Sequence, residues 1–293
     1  MIPASLKNLL NATQGQRSTH WEGREVVLFN TAWGELAISL QGAQVLHFLP
    51  RGPGGEGTDW LWLTPTPNAC PGSIRGGIPL CWPWFGDERY ADETPDRSGP
   101  FHGLARNAPW RLEAVDEHEE GIEAHLSPTL RLHSQLTARV VIQANAQRLH
   151  VELISENIGH EPLKVSGALH SYLSVSDAHQ CRLEGLAGAR YLDKLKDFSE
   201  GEQQGTLAIR GAIDRIYHSN QALLLNDGQR SLRIGKQSSD STVVWHPADN
   251  LPADIPADAG RHFLCVEAAN TRLDPVWLVP DAQHLLGTTL SLG

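Results

Sequence analysis

The stretch Ser73-Ile74-Arg75-Gly76-Gly77-Ile78-Pro79-Leu80-Cys81-Trp82-Pro83-Trp84-Phe85-Gly86 combines an arginine, a Gly-Gly pair, three aromatic rings and two prolines. Phe101-His102-Gly103-Leu104-Ala105-Arg106 then adds a second arginine beside a His-Gly step. Glycines without a Cβ let a ligand come close to the backbone. Aromatic rings suit the apolar face of a sugar, and paired guanidinium groups suit an anion. The chemistry these residue types suggest is recognition of a sugar phosphate.

Proton transfer has three candidates. His170 lies in Val165-Ser166-Gly167-Ala168-Leu169-His170-Ser171-Tyr172. There strand alternation puts Ser166, Ala168, His170 and Tyr172 on one face. Small residues ahead of the imidazole leave room for a ligand, although a lone strand histidine is as readily structural. Glu267 ends the apolar run Phe263-Leu264-Cys265-Val266-Glu267. It is either solvated at a strand end or desolvated, and burial would raise its pKa toward that of a general base. Asp214, followed by Arg215, reads as a surface ion pair or as a carboxylate accepting sugar hydroxyls. Arg75 and Arg106 carry the same ambiguity between salt bridge and ligand.

Several chemistries are absent from the sequence. It has no Gly-x-Ser-x-Gly elbow, no Walker lysine loop and no His-Glu-x-x-His. The 14 histidines show no metal-ligand spacing, so neither metal nor cofactor is expected. Gly52, Gly54 and Gly57 formally make a Gly-x-Gly-x-x-Gly, but Thr58-Asp59-Trp60-Leu61-Trp62-Leu63 follows instead of a helix, so a hairpin tip is expected at residues 51–57.

A net charge of −10 from 34 acids and 24 bases argues against a nucleic-acid partner. It also requires any anionic substrate to be held by a locally positive pocket. Four cysteines without a CxxC pair read as reduced thiols. With no signal-like leader and no long apolar run, the expectation is a cytoplasmic protein, off the membrane and monomeric.

The elements that must position these residues are strands. Residues 35–40, 121–126, 136–143, 148–154, 163–172, 222–226, 242–246 and 261–268 alternate with period two. Helical periodicity is confined to the first dozen residues and short connectors. With 27 glycines and 18 prolines as punctuation, the expected fold class is all-β: one large antiparallel β-sandwich domain spanning residues 1–293. The polar segment 87–99 is either a solvated excursion or a flap over the site.

Taken together and in order, several motifs resemble the hexose-6-phosphate mutarotases of the galactose mutarotase (aldose 1-epimerase) superfamily. They are Arg75-Gly-Gly-Ile-Pro, Trp82-Pro-Trp-Phe-Gly, His102-Gly-Leu-Ala-Arg106, Leu169-His170-Ser-Tyr, Asp214-Arg-Ile-Tyr, Val244-Trp-His-Pro and Cys265-Val-Glu267. The resemblance runs from about Trp33 to the last strand. It implies a sandwich whose concave face holds the sugar, His170 as general acid and Glu267 as general base. It further implies Asp214 on sugar hydroxyls, Arg75 and Arg106 on the 6-phosphate, and His102 at the same end of the pocket. The reaction implied is anomer interchange of an aldohexose 6-phosphate, with glucose 6-phosphate the expected substrate and a non-catalytic sugar-phosphate sensor as the alternative.

Overall fold

A computed structural model describes residues 2–52, 57–87, 99–271, 273 and 275–293. The expected tip at 51–57 and the expected flap at 87–99 therefore fall largely outside the described residues.

The chain opens with the helix Ala4–Asn11 and a four-stranded antiparallel meander, Gly15–Trp21, Arg24–Thr31, Gly34–Ser39 and Gln44–Pro50. The meander is apolar on both faces, and alternation divides its side chains. Val26, Leu28, Ala37 and Leu46 pack with Trp21 under Leu6 and Leu10 of the helix. Val27, Phe29, Leu36, Ile38 and Phe48 point the other way, into the main core. The small helix thus covers a sheet face that would otherwise be bare, in the layered logic of packed domains.

Two larger sheets follow. A nine-stranded sheet contains the long hairpins Trp110–His118, Gly121–Pro128, Leu136–Asn145 and Arg148–Asn157, with Gln283–Leu292 beside them. An eight-stranded sheet runs through Arg190–Asp193, Ile213–His218, Ser241–His246, Phe263–Asn270, Gly167–Leu169 and Leu80–Cys81. One continuous apolar core takes Val140, Ile142, Val151 and Leu153 from the first sheet and Val244, Leu264, Val266 and Ala268 from the second. The all-β sandwich is the observed architecture, and the four cysteines are unpaired as expected. Among the described residues no helix is long and apolar enough to cross a membrane.

The eight-stranded sheet has a second face, away from that core, and cross-strand pairing stacks side chains there in rows. One row is Asp214, Trp245, Cys265 and Tyr172; the next is Ile216, Val243 and Glu267; a third is Ala269, Ala168 and Cys81. The continuous strand expected at 163–172 is not formed. It is broken into Leu163–Val165, Gly167–Leu169 and Tyr172–Ser174. The break at His170 and Ser171 has a local cause, because the His170 N–H turns to the Pro79 carbonyl and the Ser171 N–H to Leu169.

A buried ion cluster fixes the meander. The Glu35 carboxylate is within 3.2 Å of His47 Nε2 and 3.0 Å of Lys7 Nζ, and 2.5 Å from Arg51 Nη2. The His47 hydrogen bond, with help from Lys7 against the cost of burial, pulls the Glu35 carboxyl down to about 2. A depressed carboxyl stabilises the fold above its unfolded pKa and loses that contribution as pH falls through its folded value. Stability should therefore drop by on the order of 3 kcal/mol between pH 4.5 and 2 through this group. Glu35→Gln should be destabilised at pH 7 and lose less than wild type on acidification, as read by denaturant melts across that range.

Candidate active site

His170 and Glu267 meet because of strand register. Leu169 pairs with Ala268 before the break and Tyr172 with Cys265 after it, so the break falls opposite Glu267 on the neighbouring strand. His170 Nε2 lies 3.3 Å from Glu267 Oε1, with Glu267 almost fully buried. Tyr172 stacks on the imidazole at 4.8 Å, and Trp245 meets it edge-on at 6.2 Å. Of the alternatives open for Glu267, the desolvated one is observed.

The pair opens into a cavity of about 160 Å³ whose lining includes Arg75, Phe85, Phe101, His102, Tyr172, Lys194, Asp214 and Trp245. Larger hollows of about 700 and 730 Å³ lie elsewhere, around Arg230 and around Pro50. What distinguishes the small cavity is unmet hydrogen-bonding capacity. His170 Nδ1, Asp214 Oδ1 and Glu267 Oε2 are buried without a partner among the described residues, and Arg106 Nε is likewise orphaned. Buried polar atoms are normally paired, so three such atoms around one cavity mark a place for a polyhydroxylated ligand.

Burial sets the charge states. It pushes His170 down to about 3, with the positive charges of Arg106, Arg75 and Lys194 acting in the same direction. Burial pushes the Glu267 carboxyl well above the usual range, opposed by Lys194 and reinforced by Asp214. Both shifts favour neutral forms. Together they favour an uncharged pair, with the proton on Glu267 and the imidazole neutral.

His102 is locked from both sides of its backbone. Its N–H donates to the Gly86 carbonyl at 2.7 Å, and its Nδ1 accepts from the Gly86 N–H at 3.1 Å. With Nδ1 accepting, the ring proton sits on Nε2. Burial, then the neighbouring His170 and the nearby cations, lower His102 to about 2, so it is a neutral donor.

Arg75 donates Nε to Asp254 Oδ1 at 2.7 Å and Nη1 to the Tyr172 hydroxyl at 3.2 Å. Arg106 donates Nη2 to the Phe101 carbonyl at 2.6 Å and is not among the cavity-lining residues, although its charge acts on both His102 and His170. Asp214 pairs with Lys194 at 2.9 Å. The pairing expected with its sequence neighbour Arg215 is absent because alternation sends Arg215 to Asp193 instead.

One expectation needs correction. The glycines do not open the backbone to a ligand. A Cβ on Gly76 would sit 2.5 Å from Leu63 Cα and from the Trp62 carbonyl, one on Gly77 would strike the Val45 carbonyl, and one on Gly103 the Trp82 carbonyl. Their close approach is to the protein itself, with φ of 111°, 62° and 81°. Of the three rings in Trp82-Pro-Trp-Phe-Gly, Trp82 and Trp84 are buried in the protein, and Phe85 lines the cavity as part of an aromatic wall. Phe101, Tyr172 and Trp245 complete it.

Sequence reasoning missed Lys194 and Asp254. Lys194 follows a strand in a polar Asp-Lys-Leu-Lys turn, and Asp254 sits in an aperiodic loop, so neither carried a pattern. A group of metal-type ligands, Asp116, Glu123 and His125, lies on the nine-stranded sheet, apart from this cavity.

The chain is similar in sequence and fold to known proteins. The family model described as aldose 1-epimerase matches residues 24–291. A Salmonella typhimurium (strain LT2) protein described as "Putative glucose-6-phosphate 1-epimerase" is 31% identical over 247 residues, covering 79% of this chain and 78% of its own length. One of the same description from Cenchrus ciliaris is 28% identical, covering 72% and 68%. Among solved structures, a "putative mutarotase (YeaD)" from Salmonella typhimurium superimposes with a TM-score of 0.85 at 25% identity, covering 98% of this chain and 99% of that one. Galactose 1-epimerase from Lactobacillus acidophilus NCFM shares the fold with a TM-score of 0.71 at 14% identity, covering 96% and 99%.

The raised Glu267 carboxyl has a measurable sign. Above pH 4.5 the native state holds this proton more tightly than the unfolded chain, so its contribution falls as pH rises toward the folded value. Glu267→Gln removes that dependence. The stability of the variant relative to wild type should grow with pH between 6.5 and 8, by up to about 1.4 kcal/mol per pH unit. Paired denaturant melts check this, and a pH-independent difference would contradict the burial argument.

Proposed function

We propose, for a chain that belongs to the aldose 1-epimerase family, the activity of a hexose-6-phosphate mutarotase: interconversion of the α and β anomers of aldohexose 6-phosphates, glucose 6-phosphate foremost. The observation that carries this reading is the 3.3 Å approach of His170 to Glu267, with the outer atom of each left unpartnered in the cavity.

In this reading the pair's single proton rests on Glu267 and passes to His170 once a sugar fills the cavity. The Glu267 carboxylate takes the proton of the anomeric hydroxyl while His170 gives its proton to the ring oxygen. The C1–O5 bond breaks, an aldehyde forms, and the pair ends with the proton on Glu267 and a neutral imidazole. Rotation about C1–C2 and reversal of both transfers close the ring on the other face. One proton is taken and one given in each direction, so no cofactor is called for. Ring opening returns the pair to the neutral form that burial favours, so the cost lies in forming the ion pair beforehand. General acid–base assistance of this kind contributes about 10²–10⁴-fold.

The remaining groups have roles that fit their environment. The orphaned Asp214 Oδ1 and the neutral His102 Nε2–H provide an acceptor and a donor for sugar hydroxyls. Phe85 and Trp245 offer faces for the apolar side of the ring. For the phosphate, Arg75 and Arg106 are the proposed ligands. In a chain of net charge −10, these cations are what an anionic substrate would meet locally. We place the enzyme in the cytoplasm as a monomer.

Anomer exchange of glucose 6-phosphate, followed by NMR magnetisation transfer, tests the reading. Wild type should accelerate exchange over buffer, and Glu267→Gln and His170→Asn should each lower it by at least about 10²-fold. Arg75→Met and Arg106→Met should raise KM for glucose 6-phosphate more than KM for free glucose. Absence of acceleration by folded wild type on either sugar would overturn the assignment.

A further inference from the structure

Lys194 belongs to no sequence motif, yet the fold takes care to place it. It opens a short 3₁₀ turn, Lys194–Lys196, directly after the strand Arg190–Asp193. Asp193 pairs with Arg215 across that strand, so the next position, Lys194, falls beside Asp214. Asp193 also caps the turn, its carboxylate accepting from the Leu195 N–H at 3.2 Å. The same carboxylate receives Arg215 Nε at 3.2 Å, and the Arg215 guanidinium lies 4.2 Å from the Tyr191 ring centroid. The turn is therefore anchored by a buried acid, a stacked arginine and an aromatic ring before Lys194 reaches the cavity.

At the cavity its ammonium sits 2.9 Å from Asp214 Oδ2 and 5.8 Å from the Phe85 ring centroid. Its ion pair leaves Asp214 Oδ1 unpartnered, so the lysine fixes which carboxylate oxygen is offered to a ligand. Around Glu267 stand the His170 imidazole, the Cys81 and Cys265 thiols, the Tyr172 phenol, the Asp214 carboxylate and the Lys194 ammonium. Arg75 and Arg106 act on His170. Lys194 and Glu267 line the same cavity, and among the described residues Lys194 is the cation that opposes the rise of the Glu267 carboxyl.

We propose that Lys194 is a positioning residue of the reaction: held over the cavity by Asp193 and Asp214, its ammonium is the cation against which Glu267 ionises to act as base. This rests on the mutarotase reading of the His170–Glu267 pair. A buried carboxylate without a nearby cation stays protonated and cannot accept the anomeric proton. Lys194 supplies that charge from a 3₁₀ turn, while Glu267 and Asp214 come from the strands of the sheet.

The test uses Lys194→Met, Lys194→Gln and Lys194→Arg in the full chain. The Glu267 carboxyl band, identified in isotope-edited infrared spectra by its loss in Glu267→Gln, is titrated without substrate. Its midpoint should rise by about one pH unit in Lys194→Met or Lys194→Gln and return in Lys194→Arg. The alkaline limb of the exchange rate should move up with it. At neutral pH kcat for glucose 6-phosphate should fall about tenfold with KM within twofold of wild type. An unmoved midpoint in either folded charge-removing variant overturns the proposal. So does a raised KM with an unshifted limb, which would make Lys194 a ligand of the substrate's anion. Should wild type show no exchange, the mutarotase reading fails while the infrared titration still decides what Lys194 does to Glu267.

Discussion

An imidazole and a carboxyl held 3.3 Å apart in a buried site is the constraint around which the rest of this protein is organised. Neither group is stable there in its charged form, and each leaves one atom without a partner. Such an arrangement lowers stability, since a buried half-satisfied pair costs more than apolar packing of the same volume. It survives because the strand carrying Glu267 lies inside a sheet backed by one continuous core. Functional sites commonly carry such local penalties, offset by the scaffold.

The sheet contributes the geometry and the loops contribute the charge. Glu267, Asp214, Trp245 and Tyr172 all come from paired strands, and their relative heights are fixed by register. His170 occupies the break in one strand, which frees its backbone from the ladder while keeping it opposite its partner. Arg75, His102, Arg106 and Lys194 arrive on turns and short helical connectors. Each is tied by its own contact: Asp254 for Arg75, Gly86 for His102, the Phe101 carbonyl for Arg106 and Asp214 for Lys194. Rigid strands hold the reacting atoms and adaptable turns surround them with positive charge, a division that suits a neutral proton exchange on an anionic substrate.

Much of this was legible in the sequence, for identifiable reasons. Period-two alternation exposes strands directly, and it placed Ala168, His170 and Tyr172 on one face even though the strand is interrupted between them. The interruption itself was hidden, because Pro79 and Leu169 capture the backbone of His170 and Ser171 through contacts that no local pattern encodes. Glu267 was visible as a carboxylate ending an apolar run, but its depth depends on the sheets on either side. The glycines signal a close approach to the backbone, but the approaching atoms belong to Trp62, Val45 and Trp82, which only the fold brings there. Lys194 escaped notice because an ordinary polar turn becomes part of a site only when the strand before it pairs beside Asp214.

The central claim is that His170 and Glu267 share one proton as a unit, and a ¹⁵N NMR titration of the His170 ring reads it most directly. The account predicts a neutral imidazole from pH 8 down through the ordinary histidine range, with the second proton taken up only near pH 3. An imidazolium that titrates near pH 6.5, beside a carboxylate ionised throughout, would contradict it.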